Sequence, residues 1–256
     1  MSYRLAIFDL DGTLYRGEEP IPHAVEAVAR LRSEGVGIRY LTNNSSQTRA
    51  FYRDKLRRMG FEADESEISS SATGTAAYLT SEGFKTAFVV GMPGLIATLR
   101  SAGLEVVNES SQGHALAAGP QAEVVVAGIC LDFTYALMAA AMNQIRCGAK
   151  FVATNPDATF PLEGGRFTPG AGSIVAAIQT CSGVEPFVVG KPNPYLIQLI
   201  LGEANCSPAD ALVIGDRMDT DIESGTRAGC ATHLVLTGVE TQAPQGQASS
   251  PDLRGL

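Results

Sequence analysis

The chain has 256 residues, 45% of them hydrophobic and 18% charged, which is the make-up of a globular protein able to bury a sizeable core in one large domain or two smaller ones. Its formal net charge of −8 argues against a broad nucleic-acid surface, though not against a local anion site. The apolar runs Val124–Leu131 and Leu212–Gly215 are too short to span a bilayer, and the N-terminus enters the first apolar run without a leader pattern, so a soluble cytoplasmic protein is expected.

Leu5 to Phe8 form an apolar run that ends in Asp9-Leu10-Asp11-Gly12-Thr13, which reads as a buried strand meeting a turn. Gly12 lets the backbone turn sharply and approach a ligand. Asp9 and Asp11 are thereby expected at the carboxyl end of a strand, where open α/β sheets bind ligands. Two carboxylates this close favour a proton or a cation between them, and a hard cation such as Mg²⁺ suits oxygen ligands. Taken alone, Asp-x-Asp-Gly also fits a solvated turn.

Pro20 to Glu34 reads as a helix with Ala24, Val25, Val28 and Leu31 on one face and Gly35 as its stop. Val36–Leu41 is the next strand. It runs into Thr42-Asn43-Asn44-Ser45-Ser46 and then a helix from Gln47 to Met59, a combination that makes either an anion cradle or an ordinary N-cap. Ser70 to Ser81 is another expected helix.

From Lys85 the alternation starts afresh. Lys85–Gly91, Glu105–Val107, Glu123–Ile129 and Lys150–Thr154 read as strands, with helices at Pro93–Ala102, Thr134–Arg146 and Ser173–Cys181. Ser110 to Gln121 reads as a polar surface loop. This middle portion suffices for a small α/β domain of its own. Phe187–Gly190 then delivers Lys191, and Ala211–Gly215 delivers Asp216, with a helix from Pro194 to Ala204 between them. Arg217-Met-Asp219-Thr-Asp221 opens a further helix that Gly229 ends. Thr232–Leu236 is the last expected strand, and the Gln-, Pro-, Ser- and Gly-rich tail beyond Val239 reads as disordered. The five cysteines are odd in number and lack Cys-x-x-Cys spacing, so no disulfide framework or zinc site is expected and they read as small buried hydrophobes.

Asp9, Thr42, Lys191 and Asp216 would thus line one edge of a parallel sheet. Any one of them fits an accident. Asp-x-Asp-Gly-Thr-Leu, Leu-Thr-Asn-Asn, Gly-Lys-Pro and Gly-Asp-Arg-x-x-Thr-Asp together form a specific signal.

On these motifs the chain resembles the haloacid dehalogenase-like (HAD) superfamily, in the branch of phosphatases similar to NagD and 4-nitrophenyl phosphatase. The resemblance extends through Ala153-Thr-Asn-Pro-Asp157 and Phe167-Thr-Pro-Gly-Ala-Gly172. It implies an α/β fold: a Rossmann-like parallel-sheet core over residues 1–82 and 185–256, with a smaller α/β cap inserted over 83–184. It implies Asp9 as the nucleophile that forms an aspartyl-phosphate and Asp11 as general acid and base. Thr42, Asn43 and Lys191 would bind phosphate. Mg²⁺ would be held by the Asp9 and Asp216 carboxylates and the Asp11 carbonyl, with Asp221 behind them and Asp219 solvated. The cap segment Asn155 to Leu162, with Asn155, Asp157, Thr159 and Phe160, would overhang the substrate. His23, His114 and His233 match no catalytic position.

The implied function is a magnesium-dependent phosphomonoesterase for small phosphorylated metabolites: sugar phosphates, nucleoside monophosphates, phosphoglycolate or pyridoxal phosphate. A phosphotransferase using the same intermediate would have the same motifs. A non-catalytic phosphate-binding module should have lost Asp9 or Asp11. No nucleic-acid or membrane partner is expected, and pairing of two copies through the cap is expected by analogy.

Overall fold

The computed structural model describes residues 3–108, 121–161 and 167–256, and the side chains of 160 and 161 fall outside that set. The loop expected from Ser110, the residue His114 and the cap position Leu162 lie outside the described residues.

In chain order, β1 (Leu5–Asp9) is followed by a hairpin of β2 (Tyr15–Arg16) and β3 (Glu19–Pro20), then α1 (Ala24–Ser33), β4 (Gly37–Thr42), α2 (Arg49–Arg58) and β5 (Ile68–Ser70). Next come α3 (Ser71–Ser81), β6 (Thr86–Val90), α4 (Pro93–Ser101), β7 (Glu105–Val106), β8 (Val124–Ala127), α5 (Tyr135–Arg146) and β9 (Lys150–Ala153). A second hairpin, β10 (Thr159–Pro161) with β11 (Phe167–Pro169), leads to α6 (Ala171–Ser182) and β12 (Phe187–Val188). The chain closes with α7 (Tyr195–Glu203), β13 (Ala211–Gly215), α8 (Glu223–Arg227), β14 (Ala231–Val235) and β15 (Ser249–Ser250).

These elements form two compact units. The first holds Met1–Thr42, Arg49–Ser69 and Lys191–Leu256, and the second holds Asn43–Thr48 and Ser70–Gly190. The first unit is built on a six-stranded sheet in the order β15-β14-β13-β1-β4-β5. β1 lies between β4 and β13 and is parallel to both. Covered on both faces, its residues Leu5 to Phe8 are all buried, which is why the strand reads as a continuous apolar run. Asp9 pairs with Leu41 and Phe8 with Ile214, so Asp9, Thr42 and Asp216 emerge at the same end of adjacent strands. Phe8, Tyr40, Leu56, Ile68 and Ile214 are part of the core beneath.

The second unit has its own five-stranded sheet, in the order β12-β9-β8-β6-β7, parallel at every pairing. Val124 to Ala127 form its buried middle strand, and Phe88, Val125, Phe151, Val175 and Ile178 belong to its core. The α/β class of parallel sheets, with a second α/β unit inserted into the first, stands as the sequence implies.

Several expectations need correction. The strand Phe187–Val188 pairs with β9 and belongs to the second sheet, not to the core sheet that carries Asp9. Periodicity identifies a buried strand but not its neighbour, because pairing is decided by tertiary packing. The first helix starts at Ala24, not Pro20, since Pro20 is spent in the hairpin opposite Tyr15. The segment before Ser70 holds a strand the sequence reading missed, β5 at the sheet edge.

The tail is ordered. β15 adds to the sheet through Leu234 N–H to Ala248 O at 2.9 Å and Leu236 N–H to Ser250 O at 3.0 Å, and Leu253 is fully buried. These ladder bonds and the buried Leu253 dock the tail, and a polar composition does not reveal them. All five cysteines are free as expected, but only Cys130 is buried and Cys147 is exposed, so they are not uniformly core residues. His233, which matches no catalytic position, bonds Ser250 Oγ at 2.8 Å.

Candidate active site

In the first unit, the carboxylates of Asp9, Asp216 and Asp221 each offer an oxygen within 4.8 Å of the others. Asp9 is the last residue of β1, and Asp216 follows β13 directly. Asp221 reaches the same place by a different route. After β13 the chain makes a wide π-helical turn over Met218–Ile222, which swings Asp221 back under the strand end. The Asp221 carboxylate accepts from the backbone N–H of Arg217 at 3.1 Å. Gly215 makes room: a Cβ there would lie 2.2 Å from the Cβ of Asp221.

Lys191 stands among these acids, 2.5 Å from an oxygen of Asp9 and 2.5 Å from one of Asp221. Its side chain is 3% exposed, and those of Asp9 and Asp221 are 11% and 2% exposed. Asp216 is held by the N–H of Val239 at 2.7 Å and the hydroxyl of Thr13 at 3.4 Å. Two glycines crowd it: a Cβ at Gly12 or Gly238 would lie 2.6 Å or 1.9 Å from its Oδ2. Gly12 has a φ of +89°, the left-handed turn its sequence context predicts.

The charges do not balance. Burial raises the Asp9 carboxyl well above its ordinary range, the charge of Asp221 adds to this, and Lys191 opposes it. Burial and the Asp221 charge bring Asp216 up to about 6. Burial alone would lower Lys191, but Asp221 and Asp9 outweigh it and hold the ammonium above the ordinary lysine value. One buried ammonium therefore faces more anionic charge than it neutralises. A divalent cation fits this set of oxygen donors, whereas a thiol- or imidazole-preferring metal does not.

Asp11 stands just before the Gly12 turn, its carboxyl raised by burial and lowered in part by the charges of Lys55 and Lys191. Lys55 lies 4.2 Å above the ring of the fully buried Tyr15 and 3.5 Å from Glu18. Asp219 is exposed and pairs with Arg217 at 2.9 Å.

Thr42 ends β4 and is buried in the first unit. Asn43, the next residue, belongs to the second unit. Its amide nitrogen donates to both carboxylate oxygens of Asp157 at 3.2 Å, and its carbonyl accepts from Asn155 Nδ2 at 2.7 Å and Ser71 Oγ at 2.5 Å. Asn155 is buried, Thr159 is exposed on the β10–β11 hairpin, and the Phe160 backbone pairs with Thr168. Of the predicted residues, the structure gathers Asp9, Lys191, Asp216 and Asp221 into one cluster, and Asn43, Asn155 and Asp157 into another.

The sequence reading missed Gly238 and the Val239 N–H. A backbone donor carries no residue signature, and Thr237-Gly-Val239 looks like any strand exit. It placed Asp221 behind the other acids, yet Asp221 shares Lys191 directly with Asp9.

Comparison with known proteins agrees with this architecture. A family model described as haloacid dehalogenase-like hydrolase matches residues 6–105, and a second, HAD-hydrolase-like, matches residues 188–253. Glycerol-3-phosphate phosphatase of Gallus gallus is 38% identical over 249 residues, 92% of this chain and 80% of that protein. The structure of p-nitrophenyl phosphatase from Archaeoglobus fulgidus superposes with a TM-score of 0.88 at 32% identity, covering 99% of this chain and 97% of that one. NagD from E. coli K-12 does so with a TM-score of 0.87 at 29% identity, covering 100% and 99%. The chain belongs to the haloacid dehalogenase-like hydrolases. Within them it is a phosphatase of the NagD-like branch.

Proposed function

We propose that the chain is a magnesium-dependent phosphomonoesterase acting on small phosphorylated metabolites through an aspartyl-phosphate on Asp9. The observation that carries this reading is the buried Asp9 carboxylate, held at 2.5 Å by Lys191 in a cluster with Asp216 and Asp221. Asp9, Asp216 and the Asp11 carbonyl would hold the cation, with Asp221 against Lys191 beside them. Bound there, magnesium supplies charge neutralisation for a phosphoryl group that would otherwise be repelled by these acids.

Asp9 attacks phosphorus with a carboxylate oxygen, and the bond from phosphorus to the leaving oxygen breaks. Asp11 gives that oxygen its proton, a role suited to a carboxyl raised by burial. Asp11 then takes a proton from water, whose oxygen attacks the same phosphorus and frees Asp9 and inorganic phosphate. Lys191 keeps Asp9 ionised and neutralises phosphoryl oxygens, while Thr42 and Asn43 donate to them. The names of the relatives, glycerol-3-phosphate phosphatase and p-nitrophenyl phosphatase, support a small phosphate monoester as substrate.

The proposal includes a cytoplasmic location and pairing of two copies through the second unit. The exposure of Leu131 and Tyr135, at 70% and 80%, supports the pairing, and sedimentation velocity would read a single monomer boundary if it fails.

Phosphate release across a panel of sugar phosphates, nucleoside monophosphates, phosphoglycolate, pyridoxal phosphate and glycerol phosphate tests the function. With magnesium, the wild type is expected to turn over at least one, and Asp9→Asn none above background. Acid quenching with phosphorus-labelled substrate should trap label on the wild type only. Label on Asp9→Asn, or turnover by it, would refute the nucleophile.

A further inference from the structure

Past β14 the chain turns through Leu236-Thr237-Gly238-Val239, inside the first unit, and lies against the two loops that carry the Asp11 carbonyl and the Asp216 carboxylate. The Thr237 hydroxyl donates to the Gly12 carbonyl at 2.7 Å. The Thr237 carbonyl accepts from the Arg16 guanidinium, on the β2–β3 hairpin just after the Gly12 turn. The Val239 N–H donates to Asp216 Oδ2 at 2.7 Å, and the Glu240 N–H to the Asp216 carbonyl at 3.2 Å. One short strap is thus bonded on one side to the loop after β1 and on the other to the residue after β13.

Glycines decide how closely these pieces meet. A Cβ at Gly12 would lie 2.6 Å from Asp216 Oδ2, and a Cβ at Gly238 would lie 1.9 Å from the same atom. Two backbones therefore close on Oδ2 to distances that only glycine permits. Thr237 fastens one to the other, since it precedes Gly238 in the chain and reaches Gly12 with its hydroxyl. Asp216 itself is 1% exposed.

Gly12 is held on both its peptide bonds. Its N–H donates to the Tyr15 carbonyl at 2.9 Å, and its own carbonyl takes the Thr237 hydroxyl. The peptide between Asp11 and Gly12 is planar, so the bond to its N–H also sets the direction of the Asp11 carbonyl. The two oxygen donors come from separate loops, and nothing in either loop alone sets the distance between them. Magnesium demands near-ideal octahedral geometry, so that distance has to be held from outside the ligands.

We propose that Thr237 is a positioning residue for the cation: its hydroxyl ties the Asp11–Gly12 turn to the Gly238–Val239 backbone that grips Asp216, and so fixes the spacing of the two donors. This rests on the phosphatase reading above and gives a role to a segment outside the four motifs.

Titrations on the full chain test it. Manganese, which suits the same oxygen donors, is the binding probe, read by its paramagnetic resonance without substrate. Magnesium-dependent hydrolysis of 4-nitrophenyl phosphate is the second readout. Thr237→Ala is expected to weaken manganese binding about tenfold to a hundredfold and to raise the half-saturating magnesium concentration by a similar factor. Thr237→Ser restores the hydroxyl without the stiffening methyl and should bind manganese within about threefold of the wild type. Thr237→Ala binding manganese as tightly as the wild type, or Thr237→Ser as weak as Thr237→Ala, would overturn the proposal. Should Thr237→Ala fail to fold, Thr237→Val, which keeps the branched shape and lacks the hydroxyl, runs the same titrations. A wild type that neither binds manganese nor releases phosphate would sink the function itself, whereas an active, manganese-binding wild type matched by Thr237→Ala sinks only the role of Thr237.

Discussion

At the residue scale, Asp216 carries the most testable electrostatics. Its carboxyl stands at about 6 in the fold against an ordinary 3.8, because it is buried beside Asp221. Between those values the folded chain keeps a proton that the unfolded chain has released, so stability falls as pH rises through that window. The burial of Asp9 acts in the same direction. Cation-free protein is therefore expected to gain melting temperature on going from about pH 7.5 to about pH 5, and Asp216→Asn should flatten that gain. Magnesium should raise the melting point at the higher pH and much less at the lower, where protons compete for the same oxygens. In Asp216→Asn the magnesium effect should disappear. A thermal-shift series at both pH values reads all of these.

At the scale of elements, the ordered tail is the largest departure from what the sequence suggests. Leu253 sits in the core cluster with Ile214 and Val235, and β15 adds a strand beside β14. Leu253→Ala is expected to cost about 2–4 kcal/mol of stability, the usual range for emptying a packed apolar site. Urea unfolding at neutral pH measures it, and a change under about 0.5 kcal/mol, the size of an ordinary surface effect, would mean that the tail is not docked in solution. Most elements were legible because their signals are local. The apolar run before Asp9, the Thr134 cap of α5, whose Oγ accepts from Leu137, and Gly60 at φ +92° after α2 all announce themselves in a few residues. Elements that depend on distant partners were not legible. β5 and β15 are short edge strands, and the choice of sheet for β12 has no counterpart in its own two residues.

For the whole molecule, the same division holds for the site. Asp9 and Asp216 were legible because each ends an apolar run, and a parallel sheet brings such ends to one edge. Lys191 does lie against Asp9 and Asp221, but the reason for expecting it there was incomplete. The strand before it serves the second unit, and the lysine passes to the first. Asp221 was harder to place, because its approach depends on a π-helical turn that a helical pattern does not reveal.

The route of the chain into Lys191 has a practical side for protein engineers. Val188 ends a strand of one sheet, and after Val189 and Gly190 the ammonium must already be clamped between Asp9 and Asp221. A graft that exchanges the insert between homologues must therefore hand the chain back with Lys191 intact, since both acids that clamp it belong to the first unit. Lys191→Met, the outcome of a splice set one residue too late, is expected to silence phosphate release while the far-ultraviolet spectrum stays unchanged.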